Sequence, residues 1–252
     1  MSRRHRNRAG FTLIEMAIVV ALFGLLLGGG LLGVGKFFDR LASQDTRNRL
    51  TRVERALATY VIQNGELPCA DTDTDGLSND TACSGAPSAS VVQGLVPYRT
   101  LGLARDDAQD GWHNFISYLV TVDLATTSSA LACGSGSVNY SKVMTDTPGQ
   151  IEPLDDPATE SWDASNPPRS AYALISHGEN GFGAIGNGGG QIASGSASPN
   201  EGTNIAPNGT QTTNGPIEIG SAPTDDGFDD RVRVRTPAQI LYDIGCNNDP
   251  AL

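Results

Sequence analysis

Residues 11–35 of this chain read FTLIEMAIVVALFGLLLGGGLLGVG, an apolar run with a single charge, Glu15. Nothing else in the sequence narrows the possible folds as much. About 20 helical residues cross ~30 Å of hydrocarbon, so the run predicts a transmembrane helix. A cleaved secretory signal would be shorter and would end in a small-residue site; this run simply continues. The preceding segment, MSRRHRNRAG, holds Arg3, Arg4, Arg6 and Arg8. These favour a cytoplasmic start, but Lys36, Arg40, Arg47 and Arg49 follow on the other side. The cysteines decide the orientation. Cys69, Cys83, Cys133 and Cys246 all lie beyond the run and suit an oxidising compartment.

Four cysteines allow three connectivities. The expected pairs are Cys69 with Cys83, enclosing a short turn-rich loop, and Cys133 with Cys246, fastening the end of the domain to its interior. There is no CxxC pair, so zinc is not expected. The net charge is -11, and beyond the basic leader 13 positive residues stand against 28 negative ones, which argues against binding a nucleic acid backbone.

The helix is expected to outrun the apolar segment. Phe37, Phe38, Leu41, Leu50, Val53, Leu57, Tyr60 and Val61 recur at mostly helical spacings between charged residues. No proline precedes Pro68. A single helix over 11–64 would be ~80 Å long at about 1.5 Å per residue, stopped by Gly65 and Pro68. Glu15 is its sharp feature, since a carboxylate in an apolar helix needs a partner or must neutralise.

Gly10-Phe11-Thr12-Leu13-Ile14-Glu15, with a basic leader before it and an apolar run after it, resembles the processing site of type IV prepilins and type II secretion pseudopilins. That resemblance implies cleavage between Gly10 and Phe11 by a prepilin peptidase, which also methylates the new N-terminus. It further implies that Glu15 pairs with the amine of a neighbouring subunit during assembly. Trp112-His113-Asn114-Phe115 resembles an aromatic turn that follows the pilin helix, with His113 where glycine is usual. Weaker likenesses to exported pilin-like proteins sit at Leu67-Pro68-Cys69, at residues 97–103 and 175–184, and at Phe228-Asp229-Asp230.

Past residue 65 the pattern shortens. FISYLVTV (115–122), AYALIS (171–176), residues 216–219 and RVRVR (231–235) are strand candidates. In the last, the arginines are expected to face water and Val232 and Val234 the core. Thr236-Pro237 reads as an N-cap with proline at the first helical position. The expected fold is α+β and pilin-like: a long N-terminal helix, half transmembrane and half amphipathic, packed on a small antiparallel sheet. The expected organisation is a leader over 1–10, a transmembrane helix over 11–35, the soluble half of the helix over 36–64 and an exported domain over 65–252. Residues 183–227, rich in Gly, Ser, Thr, Asn and Pro, are expected to form a flexible loop.

Asp71-Thr72-Asp73-Thr74-Asp75-Gly76 opens like an EF-hand calcium loop. Asp71, Asp73 and Asp75 take the first, third and fifth positions, and Leu77 offers a carbonyl at the seventh. The twelfth is Ala82 rather than Glu, so Asn79 or Asp80 would have to help. Asp225, Asp226, Asp229 and Asp230 form a second cluster, nearest in position to the calcium loop of related pseudopilins. No cofactor is required; calcium is possible. Ser176 and His177 would point to opposite faces of a strand, a poor arrangement for nucleophile and base, and no enzyme is expected.

The resemblance implies a structural filament subunit, a minor pilin or a pseudopilin. Its partners would be homologous pilin or pseudopilin subunits, the prepilin peptidase/methyltransferase and an inner-membrane assembly platform. It would sit in the inner membrane by one span, with its domain in the periplasm or in a periplasmic or extracellular filament. The other reading is a non-polymerising, membrane-anchored binding or adhesion domain.

Overall fold

A computed structural model describes residues 11–127, 130–132, 149–154, 170–193, 199–204, 211–214, 217–220 and 228–246. Helix α1 spans Leu13–Asn64, and the chain divides into the units Met1–Leu41 and Ala42–Leu252. No helix among the described residues is long and apolar enough to cross a membrane. This corrects the transmembrane helix and the single-pass inner-membrane placement expected from the apolar run. Near the start of α1 the charged Glu15 interrupts the apolar residues, and a carboxylate is costly in hydrocarbon. From Gly35 the described residues soon become charged, at Lys36, Asp39 and Arg40.

In the second unit, Leu50, Val53, Leu57 and Val61 recur every three or four residues and are at most 1% exposed. They are the face of α1 that meets the sheet. Gly65 at φ 73° donates its amide to the Val61 carbonyl (2.7 Å) at the end of the helix, as glycine is suited to do. The elements that follow are α2 (Asp80–Ser84), β1 (Ser90–Leu95), a 3-10 turn (Arg105–Ala108), β2 (Ser117–Thr121), α3 (Val122–Thr126), β3 (Ile151–Leu154), β4 (Tyr172–Ser176), α4 (Pro199–Asn204), β5 (Gln211–Asn214), β6 (Ile217–Gly220), β7 (Arg231–Arg235) and α5 (Pro237–Asp243).

Five strands form an antiparallel sheet in the order β5-β1-β2-β4-β7, and β3 pairs in parallel with β6. Val92, Tyr118, Val120, Tyr172 and Leu174 face α1 and α5. Val91, Leu119, Ala173 and Ile175 face the other way, against Ile151 of β3 and Ile219 of β6. Cover on both faces is why β2 and β4 read as nearly continuous apolar runs rather than alternating ones. Each large side chain buried here stabilises by about 1.5–3 kcal/mol. The expected α+β architecture, with a long helix on a small sheet, is what forms.

Several local expectations change. β2 stops at Thr121, and α3 takes the chain from Val122. Within 183–227, expected as loop apart from the strand candidate at 216–219, α4 and β5 form, and β6 matches that candidate; residues 194–198, 205–210, 215–216 and 221–227 lie outside the described residues. Val232 and Val234 pack inward. The arginines of β7, however, do not simply face water. Arg235 Nη2 reaches Glu54 Oε1 at 3.0 Å and Arg231 Nη2 reaches Ser43 Oγ at 2.5 Å, both on α1. The helix overlies that face, and long arginine stems lie along it. Thr236 closes a capping box with Gln239 at the start of α5, with Pro237 first in the helix.

Cys69 and Cys83 form a disulfide with a Cα–Cα distance of 6.0 Å. Cys246 is disulfide-bonded; Cys133, and so the expected Cys133–Cys246 pair, lies outside the described residues. His113 takes φ 68°, the left-handed region that explains why glycine is the usual residue in a turn of this kind.

Candidate functional site

Three places hold the residues singled out above. At the start of α1, Glu15 Oε2 accepts from the Thr12 amide (2.9 Å) and the Thr12 hydroxyl (2.9 Å), while Thr12 Oγ1 accepts from the Glu15 amide (3.3 Å). Thr and Glu at this spacing are the residues that cap a helix N-terminus reciprocally. Phe11 is 82% exposed, and Gly10 lies outside the described residues.

The second place is the loop after Pro68. Asp71 is buried and is tied to β1 by two backbone bonds with Leu95. Its Oδ1 accepts from the amides of Asp73 (3.2 Å) and Thr74 (2.8 Å), and its Oδ2 from Gly76 (2.8 Å). Burial raises its pKa, and the amide bonds partly oppose that. Gly76 sits at φ +83°, and a Cβ there would fall 2.4 Å from the Tyr98 ring. The loop thus closes around a carboxylate that the backbone already satisfies. Asp73 and Asp75 are exposed, and each carboxylate accepts one amide, from Asp75 (3.4 Å) and Leu77 (2.7 Å) respectively. Asn79 caps α2, and Asp80 accepts from the Ser78 hydroxyl (2.6 Å). Leu77 is 45% exposed. Asp71, Asp73 and Asp75 present oxygens within 4.8 Å of one another, so they could hold a metal ion.

The third place is buried, and distant stretches of sequence build it. β4 ends at Ser176, and the turn after it uses Gly178 at φ +62°. A Cβ on Gly178 would lie 2.5 Å from Asp229 Cγ, so glycine is what lets that carboxylate approach. Asp229 Oδ2 accepts from the amides of Glu179 (2.7 Å) and Asn180 (3.0 Å). From α4, Glu201 accepts from Asn180 Nδ2 (2.7 Å), and Asn204 donates to Asp230 Oδ2 (2.9 Å). His177 Nε2 shares a hydrogen bond with Ser117 Oγ (2.8 Å), and its Nδ1 lies 4.0 Å from Asp230 Oδ1. Ser176 turns elsewhere, donating to Asp110 Oδ2 (2.9 Å).

Carboxylate oxygens of Glu201, Asp229 and Asp230 lie within 4.8 Å of one another. Asp229 Oδ1, Asp230 Oδ1 and His177 Nδ1 are buried and find no hydrogen-bond partner among the described residues. Burial, with Glu201 and Asp229 close by, pushes Asp230 up to about 8, against the Asn204 bond. Burial and Glu201 push Asp229 up to about 6, against the Asn180 and Glu179 amides. Burial pulls His177 down to about 4, against the Phe182 carbonyl and Glu201. Buried carboxylates this close repel when ionised, and a hard divalent cation would relieve them. The residues fit such an ion.

Ser117, His177 and Asp230 follow the order of a nucleophile, a base and an acid, but all three are buried. The 4.0 Å gap is also too long for a hydrogen bond. Sequence reasoning placed Asp229 and Asp230 together but missed Glu201, Asn204 and His177 as their surroundings. Asp225 and Asp226 lie outside the described residues. The one advance signal was the Gly-rich turn His177-Gly178-Glu179-Asn180-Gly181.

Residues 5–31 match the prokaryotic N-terminal methylation motif. The chain is 25% identical over 109 residues to the type II secretion system core protein G of Aeromonas hydrophila, covering 43% of this chain and 71% of that protein. No solved structure matches it. The likeness is a partial one to a pseudopilin-like core protein of a type II secretion system.

Proposed function

We propose that this chain is a structural subunit of a type IV pilus-like or type II secretion filament. It would be made as a precursor, cut between Gly10 and Phe11 and methylated on Phe11 by a prepilin peptidase/methyltransferase. The observation that carries this reading is the methylation motif over residues 5–31, which contains the Gly10 to Glu15 sequence. The likeness to a secretion-system core protein supports it. So does Glu15, whose two bonds from Thr12 both fall on Oε2. Its Oε1 is left for the N-terminal amine of a neighbouring copy, a pairing that offsets the cost of an isolated charge in an apolar contact.

Intact mass of the mature chain is the test: loss of ten residues plus one methyl supports the reading, and an uncut start sinks it. Gly10→Ala should remain uncut. Glu15→Ala should be cut normally yet enter sheared filaments poorly; normal incorporation would remove Glu15 from assembly.

A second reading concerns the globular unit, which we infer holds a divalent cation at Glu201, Asp229 and Asp230. The unpartnered, buried atoms of Asp229, Asp230 and His177 support this site over the loop at Asp71, where the buried carboxylate is already satisfied. Calcium titration of the full chain followed by thermal unfolding is the test, and no shift at millimolar calcium would defeat it.

A further inference from the structure

β7 ends the sheet, pairing with β4 on one side and with no strand among the described residues on the other. Val232 and Val234 point to the back core, so Arg231, Arg233 and Arg235 share the face that α1 overlies. Arg231 reaches Ser43 and Arg235 reaches Glu54, so the stripe Ser43, Arg47, Thr51 and Glu54 of α1 runs alongside β7. Arg235 is neutralised by Glu54 (3.0 Å) and Asp243 (3.7 Å). Arg47, Arg231 and Arg233 form no ion pair among the described residues. Arg231 Nε is buried without a partner. Three cations thus lie along α1 and β7, beside a sheet edge that has no further strand among the described residues, in a chain of net charge -11.

The complement is on the same molecule, across the sheet. Asp71 bridges to Leu95 at the end of β1, and β1 is separated from β7 by β2 and β4. That is about 14 Å at the usual strand spacing. The loop of Asp71 exposes Asp73, Asp75 and Asp80. Among the described residues none of them is in an ion pair. We propose that the surface where α1 runs alongside β7, made cationic by Arg47, Arg231 and Arg233, receives the acidic loop 73–80 of a second copy of this chain. The two surfaces are different and lie on separated parts of one unit, so the contact is head-to-tail. Such a contact propagates from copy to copy instead of closing a pair. This interface rests on the filament reading and supplies a contact for the globular units.

The full-length chain is expressed in cells that assemble it, as wild type, as R231D/R233D, as D73R/D75R, and as both variants together. Filament content is measured after shearing, beside the intact mass of the processed chain. Each variant alone should fall about tenfold in filaments with normal processing, and the two together should recover because opposite charges meet again. Normal incorporation of either variant alone, or no recovery of the pair, overturns the interface while leaving normal processing and filament formation in place. An unprocessed wild-type chain overturns both readings. R231K/R233K keeps the charge and gives a check that does not depend on how the reversals fold. With isotopically distinct copies mixed, a carbodiimide should join the amines introduced at 231 or 233 to Asp73, Asp75 or Asp80 of another copy. Links confined to one copy, links only to a different protein, or no links overturn the proposal.

Discussion

Two acidic clusters of three carboxylates stand among the described residues, and they are built in opposite ways. Asp71, Asp73 and Asp75 come from one stretch of chain, and the buried member is satisfied by amides of its own loop. Glu201, Asp229 and Asp230 are brought together from two distant segments, over a histidine from a third. There the buried atoms Asp229 Oδ1 and Asp230 Oδ1 lack donors among the described residues. The first arrangement uses its charge to shape a turn. The second leaves buried carboxyl oxygens without donors, in a place where ionisation is costly. Regular spacing in sequence and unsatisfied burial in the fold thus point to different places for a cation.

The largest effect expected from this contrast is on calcium response. Saturation to about 100 times Kd stabilises by about 2.7 kcal/mol, which raises Tm by roughly 5–10 °C for a domain of this size. The D229N/D230N pair should abolish that rise in a thermal scan of the full chain. A rise that survives this pair would exclude the buried cluster as the site. Next in size is Gly76→Ala, which tests whether the exposed loop is held by backbone geometry. A side chain there meets both φ +83° and the Tyr98 ring at 2.4 Å. The expected loss is about 2 kcal/mol in chemical unfolding, independent of calcium. A loss under 0.5 kcal/mol would show that the loop tolerates another shape.

Much of this was legible in the sequence, but unevenly. The helical stripe of Leu50, Val53, Leu57 and Val61, the cap at Thr236 and the turn at Asp71 are local patterns, and local patterns survive folding. The apolar run was read as a membrane span, yet no helix among the described residues is long and apolar enough to cross one. The direction of the β7 arginines depends on which helix covers that face, and no period-two pattern contains that fact. The buried cluster was half visible at Asp229 and Asp230. Glu201 could not be found, because its segment is Gly- and Ser-rich and its role comes only from where α4 docks.

The third effect is a pH dependence, measured with chelator present. Asp230 rises from 3.8 to about 8 on folding. The folded state therefore keeps its proton longer than the unfolded state. This contribution is fully present below the unfolded value and is lost as pH rises through the folded one. Asp229, raised to about 6, acts with the same sign. His177, lowered from 6.5 to about 4, acts with the opposite sign, since the unfolded state binds its proton first as pH falls. The two kinds of group oppose each other between about 4 and 6.5, leaving Asp230 largely alone from about 6.5 to 8. Stability should fall across that upper window by roughly 1–2 kcal/mol, at up to about 1.4 kcal/mol per pH unit. Asp230→Asn should flatten it, and calcium should do the same by holding the carboxylates ionised. An undiminished slope in Asp230→Asn would assign it to other groups.

The smallest effect belongs to the exposed cluster, and a near-zero result there is informative. Asp73 and Asp75 are exposed, and each carboxylate accepts a single amide bond, at 3.4 and 2.7 Å. Asparagine keeps an acceptor oxygen at the same place, so both turn bonds can persist. The two negative charges removed lie close to each other and to Asp71, and their loss relieves a repulsion that solvent already screens. Both terms are small and of opposite sign. The D73N/D75N pair should therefore change the urea midpoint by less than the equivalent of about 0.5 kcal/mol, the usual range for surface substitutions. Its calcium response should remain that of the wild type. A loss above roughly 1.5 kcal/mol in chelator would mean that these charges organise the loop beyond their visible bonds. Disappearance of the calcium shift in this pair, with D229N/D230N still responding, would reverse the comparison. The cation would then belong at the turn that spacing alone suggested, and the buried carboxylates would have to be held by protons.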